Sequence, residues 1–203
     1  MSLENFDRFV NIIIQNRLYG STYKELNDPM EGFYISSNFS KQDYNDILDA
    51  KRLVRICSLS KNYDNPLLWT HYADEHKGIC LALEVSNSSV WHKIPVNYSS
   101  LAPSLNNKMS HNWINIIFST KSDFWSYEQE IRYIKECSKT KKNQPKKAYL
   151  PIKIKKIYLG IRTPKETQDS IRRLVKIINS NIIVVKLKRD DLSFWSNNIN
   201  SKP

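Results

Sequence analysis

Glycine is scarce, with 4 residues in 203. Neither a P-loop nor a G-x-G-x-x-G loop occurs, which excludes a dinucleotide site built on a Rossmann fingerprint. Cysteine is scarce too: Cys57, Cys80 and Cys137 are odd in number and widely spaced, so neither a disulfide framework nor a zinc ribbon is expected. Cys57 and Cys80 lie in apolar runs and read as reduced, buried thiols, with a nucleophilic cysteine as the alternative. Long apolar runs are missing as well. Ile12–Ile14 and Ile182–Val185 fall far short of the ~20 residues that span a bilayer, so no membrane span or membrane partner is expected. Acidic Glu4 and Asp7 precede the first apolar residues, the reverse of a secretory leader, which points to the cytoplasm. His71 and His76 are not at the HExxH spacing and no third ligand is evident, so no metal site is expected.

The composition that remains is ordinary for a globular protein, 40% hydrophobic and 25% charged. The length suits a single domain over 1–203, with its core at about 4–188 and a mobile C-terminal tail over 189–203. The formal charge of +11 suits nucleic acid or an acidic protein as partner. Much of the excess falls between Lys135 and Lys156, where Glu136 is the only acid. Such a stretch reads either as a solvated surface or as one that tracks phosphates. Its shortage of arginine argues against base reading, because lysine lacks the bidentate fork.

Helical spacing of Phe6, Phe9, Val10, Ile13 and Ile14 predicts an amphipathic helix over 4–16, with Leu18–Gly20 as a short strand or turn. Asn27-Asp28-Pro29 reads as a tight turn in which a side-chain oxygen binds the backbone two residues on. A helix is predicted over 42–52 and a buried strand over 53–59. Asn65-Pro66 fits an N-cap followed by proline at the first helical position, so a short helix should run from Leu67 to Glu75 and end near Gly78. Strands are predicted at 79–85, 94–98, 128–134, 149–159 and 182–187, with a helix at 111–118. Thr163-Pro164-Lys165-Glu166 reads as a capping box with proline at N1, opening a helix whose Ile171, Leu174, Val175 and Ile178 form one apolar face. Helices alternating with strands predict a mixed α/β (α+β) domain with a central sheet flanked by helices.

Chemistry concentrates in Asn27–Glu31, Trp69–Gly78 and Lys121–Arg132. On a strand, Glu128 and Glu130 would point to one face and set two carboxylates side by side, with Arg132 on the same face. One carboxylate could then stabilise an oxocarbenium-like centre while the other orients a nucleophile. The alternative is a solvated strand face with a Glu–Arg pair. Trp69, His71 and Tyr72 gather rings that could stack on nicotinamide or adenine, or that fill a core.

Three blocks carry a resemblance: Leu26-Asn27-Asp28-Pro29-Met30-Glu31, Pro66-Leu67-Leu68-Trp69-Thr70-His71-Tyr72-Ala73 with His76-Lys77-Gly78-Ile79-Cys80-Leu81, and Lys121 with Trp125-Ser126-Tyr127-Glu128-Gln129-Glu130-Ile131-Arg132. In order and spacing they resemble the bacterial domain-of-unknown-function family twenty-nine seventy-one, from about Leu18 to Leu187. That family is in turn similar to ADP-ribosyltransferase-like domains of toxins and phage-defence genes. The resemblance implies NAD as substrate, Glu130 as the catalytic carboxylate and Glu128 as the group that orients the acceptor. It also implies cofactor contacts from Trp69, His71, Tyr72, Arg132, Lys121, Trp125, Asn27, Asp28 and Glu31. The acceptor would be nucleic acid or protein, and an antitoxin or site-completing partner is expected. The chain departs from the family pattern at its start, where Arg17 stands in for an aromatic-basic strand.

Overall fold

A computed structural model describes residues 1–4, 6–105, 113–138 and 146–193. Its helices are α1 (Phe6–Gln15), α2 (Lys41–Leu53), α3 (Pro66–Tyr72), α4 (Trp113–Ser119) and α5 (Lys165–Ile178). Its strands are β1 (Arg17–Tyr19), β2 (Ile35–Ser36), β3 (Val54–Ser60), β4 (Ile79–Val85), β5 (His92–Pro95) and β6 (Asn97–Ser99), then β7 (Ser104–Leu105), β8 (Thr120–Ser122), β9 (Glu130–Glu136), β10 (Tyr149–Leu159) and β11 (Ile183–Lys186). The chain is mixed α/β, as its patterning predicts, and its strands fall into several sheets. None of the described helices is long and apolar enough to cross a membrane.

The fold comprises two compact units, one of Met1–Arg17, Asn62–Asn87 and Pro151–Pro203, the other of Leu18–Lys61 and Ser88–Leu150. In the first unit β10 pairs antiparallel with β4 and parallel with β11, the latter through α5, a βαβ connection. The inward residues of β10 are Ile152, Ile154, Ile157 and Leu159. Their spacing slips by one at a register shift between Ile154 and Lys156, where an extra residue keeps both halves facing inward. Helix α3 starts as predicted, the Asn65 side chain accepting from Leu67 N at 2.9 Å with Pro66 at N1. It ends earlier than expected, at Tyr72, because Asp74, Glu75 and His76 all take positive φ (47°, 48° and 72°).

The predicted capping box at Thr163 does not form: Pro164 is the cap of α5 and no side chain caps it. The Thr163 hydroxyl donates instead to the carbonyls of Gly160 (2.8 Å) and Gly78 (3.2 Å), bracing a tight crossing of two turns. A Cβ on Gly160 would run into the backbone carbonyl of His76, so this turn admits no side chain. Gly160→Ala is expected to destabilise the first unit by about 2–3 kcal/mol, the scale of overpacking, measurable as a lowered urea midpoint.

In the second unit β3 and β5 flank β9 in an antiparallel sheet, while β2–β7 and β6–β8 are short parallel pairs. Ile47 of α2, Val54 and Ile56 of β3, Trp113, Ile114, Ile117 and Phe118 of α4 and Ile134 of β9 form one core cluster. Where one strand was expected over 94–98 there are two, β5 and β6. The strand expected at 128 begins at Glu130, because residues 123–128 form a 3-10 helix and Gln129 follows with φ 45°.

Candidate functional site

Two of the three chemistry-bearing segments meet inside the second unit. The Asn27-Asp28-Pro29 turn forms as predicted: Asp28 Oδ1 accepts from Met30 N at 2.9 Å and its carbonyl from Glu31 N at 3.0 Å. The turn delivers the Glu31 side chain to Arg132, whose Nη1 and Nη2 donate to its two oxygens at 2.8 and 2.5 Å. Arg132 Nε and Nη2 donate to Glu130 at 2.8 and 3.0 Å, and Nη1 also donates to the Phe118 carbonyl at 3.0 Å. The five N–H donors of the guanidinium therefore have five acceptors, on a side chain that is 0% exposed.

Lys121 of β8 completes the cluster. Its ammonium lies 2.6 Å from Glu128 Oε2, 3.4 Å from Glu130 Oε2 and 3.6 Å from Glu31 Oε1, and 4.7 Å from the centre of the Trp125 ring. Three carboxylates thus surround two cations, each side chain at most 6% exposed. Glu128 and Glu130 do converge, but not by strand alternation. Glu128 closes the 3-10 helix, Gln129 reverses the backbone through the left-handed region, and Glu130 opens β9. Both carboxylates reach the same lysine through that reversal.

The electrostatics follow from this packing. Burial alone would raise the Glu130 pKa, but the Arg132 guanidinium, the Lys121 ammonium and a Ser58 hydroxyl hold it below the usual carboxylate range. Burial alone would lower that of Lys121, yet Glu130, Glu128 and Glu31 raise it. Arg132 is likewise raised, against its own desolvation, by Glu130 and Glu31. At neutral pH Glu130 is a fixed anion and Lys121 a fixed cation, so neither is a proton carrier. Register sets Ser58 opposite Arg132 and Ser60 opposite Glu130, and both serines are exposed. The Ser58 hydroxyl bonds to the Glu130 carboxylate, while the Ser60 hydroxyl donates to the Glu128 carbonyl at 2.7 Å. Tyr98 of β6, within the strand expected over 94–98, accepts from Glu130 N at 2.8 Å; sequence patterning assigns it no site role.

The other predicted residues lie as follows. Asn27 is exposed, Asp28 buried and Trp125 half-buried, all in the second unit. Trp69, His71 and Tyr72 belong to the first unit. Trp69 is 2% exposed, donates its indole N–H to the Tyr63 carbonyl at 2.6 Å, and packs with Ala73, Leu187 and Leu192. His71 is exposed and Tyr72 half-buried. Among the described residues, no group of three or more His, Cys, Asp or Glu is placed to hold a metal ion.

Residues 68–133 match the family described as Protein of unknown function (DUF2971). The resemblance read from the sequence holds over that stretch. The DUF2971 match takes in α3 from Leu68 onward, the Trp69–Gly78 block and the whole of Lys121–Arg132, while Asn27–Glu31 lies outside it. No curated protein and no solved structure matches the chain.

Proposed function

We propose that the charge cluster is the anionic centre of an ADP-ribosyltransferase-like enzyme that binds NAD and transfers ADP-ribose to nucleic acid or protein, as a toxin or phage-defence effector. The observation that supports this reading is the state of Glu130, a carboxylate kept ionised in a low-dielectric site with a second carboxylate, Glu128, 2.6 Å from the shared Lys121. An oxocarbenium-like centre needs a fixed negative charge of this kind, because preorganised charge acts without reorganisation during the reaction.

In the proposed step the ribosyl C1′–N bond of NAD breaks, and nicotinamide departs with the bonding electron pair. The acceptor then bonds to C1′, and its proton passes to Glu128. Lys121 must give up its 3.4 Å contact to Glu130 for a ribose hydroxyl to reach that oxygen, while the shorter Arg132 bonds remain. Nicotinamide release from NAD, followed with the purified protein and cell extract, tests the reading; its absence under every condition tried sinks it.

A second reading is favoured by the complete engagement of Arg132. The cluster is then an internal pin, and function lies in a non-catalytic basic surface that binds nucleic acid or an acidic protein. Of the lysines in the dense stretch, Lys146, Lys147, Lys153 and Lys156 are exposed, whereas Lys139, Lys141 and Lys142 lie outside the described residues. Affinity for DNA or RNA should fall steeply with salt, as counterion release requires. Neutralising the four exposed lysines should lower the slope of log K against log salt by up to about 3–4. A slope left unchanged removes this surface from consideration.

A further inference from the structure

A different feature of the second unit has no role in the cluster. Lys51, in the last turn of α2, reaches back to donate to the Gly32 carbonyl at 2.6 Å, and its ammonium lies 4.7 and 5.5 Å from the ring centres of Tyr23 and Tyr34. Among the described residues no ion pair includes it. One of its three N–H groups is used by a neutral carbonyl and the charge faces rings, a half-buried cation with no counter-charge among the described residues. Burial accordingly holds its pKa below that of an ordinary lysine. Gly32, at φ 73°, makes this possible, since a Cβ there would lie 3.2 Å from the Lys51 side chain and 3.0 Å from Phe118.

Lys51 lines a shallow depression of about 450 Å³, largely open to solvent, with Gly32, Phe33, Tyr34, Ile35, Ser36 and Tyr44. Phe33 and Tyr44 are 48% and 45% exposed, two accessible rings beside a half-buried cation. The Ser36 and Tyr44 hydroxyls, 2.7 Å apart, supply a polar pair on the same wall. An occupant that satisfies all of these groups carries one compact anion for the lysine, a flat ring for the aromatic walls and hydroxyl or ring-nitrogen partners for the polar pair.

We propose that this depression binds a nucleoside monophosphate, its phosphate on Lys51 and its base against Phe33, Tyr34 and Tyr44. The proposal does not rest on the transferase reading, because it concerns binding alone and uses none of the cluster residues. Calorimetric titration of the full chain with AMP, adenosine and inorganic phosphate separates the contributions. AMP should bind at least about tenfold more tightly than either fragment, one tenfold step being 1.4 kcal/mol. Lys51→Gln should weaken AMP about tenfold or more while leaving adenosine unchanged, and Phe33→Ala, at an exposed ring, should weaken AMP and adenosine alike. AMP binding undetectable at millimolar concentration, or AMP affinity that survives both substitutions, overturns the proposal. Should Lys51→Gln fail to fold, Phe33→Ala with the three probes decides alone.

Discussion

Arg132→Met is expected to lower the unfolding free energy of the second unit by about 3–5 kcal/mol, the cost of removing one partner from a buried ion pair. The expectation rests on what the substitution leaves behind. Glu31 and Glu130, 4% and 5% exposed at their side chains, would keep their charges with Lys121 as the remaining cation, 3.6 and 3.4 Å away. The Phe118 carbonyl would lose its donor as well. Methionine fills much the same space, so the loss reports charge and hydrogen bonding rather than a cavity. Combining Arg132→Met with Glu31→Gln and Glu130→Gln should recover much of the loss, because the stranded charges are then gone. Urea denaturation of the single and triple variants measures both effects. A single-variant loss below about 1 kcal/mol, the range of exposed pairs, would show that the cluster is solvated in solution.

Legibility in the sequence divided along the line between local and distant causes. The cap at Asn65, proline at position 66, the Asp28 turn and the strand of residues 79–85 were readable, because each is decided by a few neighbouring residues. Thr163 misled for a tertiary reason: its hydroxyl finds the Gly160 and Gly78 carbonyls before it can cap a helix. The strand drawn through Glu128 failed because alternation of residue types cannot reveal a left-handed residue at Gln129 that is not glycine. Segments 27–31 and 121–132 come together in the second unit. Their meeting was not predictable, since Glu31 and Arg132 are 101 residues apart and nothing in either segment encodes the pairing. Tyr98 lies in a strand that was expected, but a strand pattern does not mark which of its side chains meets Glu130, and the Phe118 carbonyl is backbone.

The sharpest test of the transferase reading is Glu130→Gln, expected to lower nicotinamide release by ~10²-fold or more, the usual cost of removing one preorganised electrostatic contact. Glutamine keeps the size of the side chain and one acceptor oxygen but no longer supplies the fixed charge that Arg132 and Lys121 hold ionised. The same substitution weakens a buried pair, so stability and catalysis must be separated. Glu31 still receives two bonds from Arg132, which keeps the expected stability loss near the low end of the buried-pair range, about 3 kcal/mol. Assays run well below the variant's melting temperature then compare folded proteins. A charge that acts on the transition state should appear in kcat with KM little changed, whereas a site loosened by partial unfolding should raise KM as well. Glu128→Gln divides the roles further, since it should impair acceptor labelling more than nicotinamide release: water can attack the ribosyl cation without an oriented acceptor. Full nicotinamide release by folded Glu130→Gln would leave the cluster as an internal pin, and the basic surface would then be the part of the molecule to pursue.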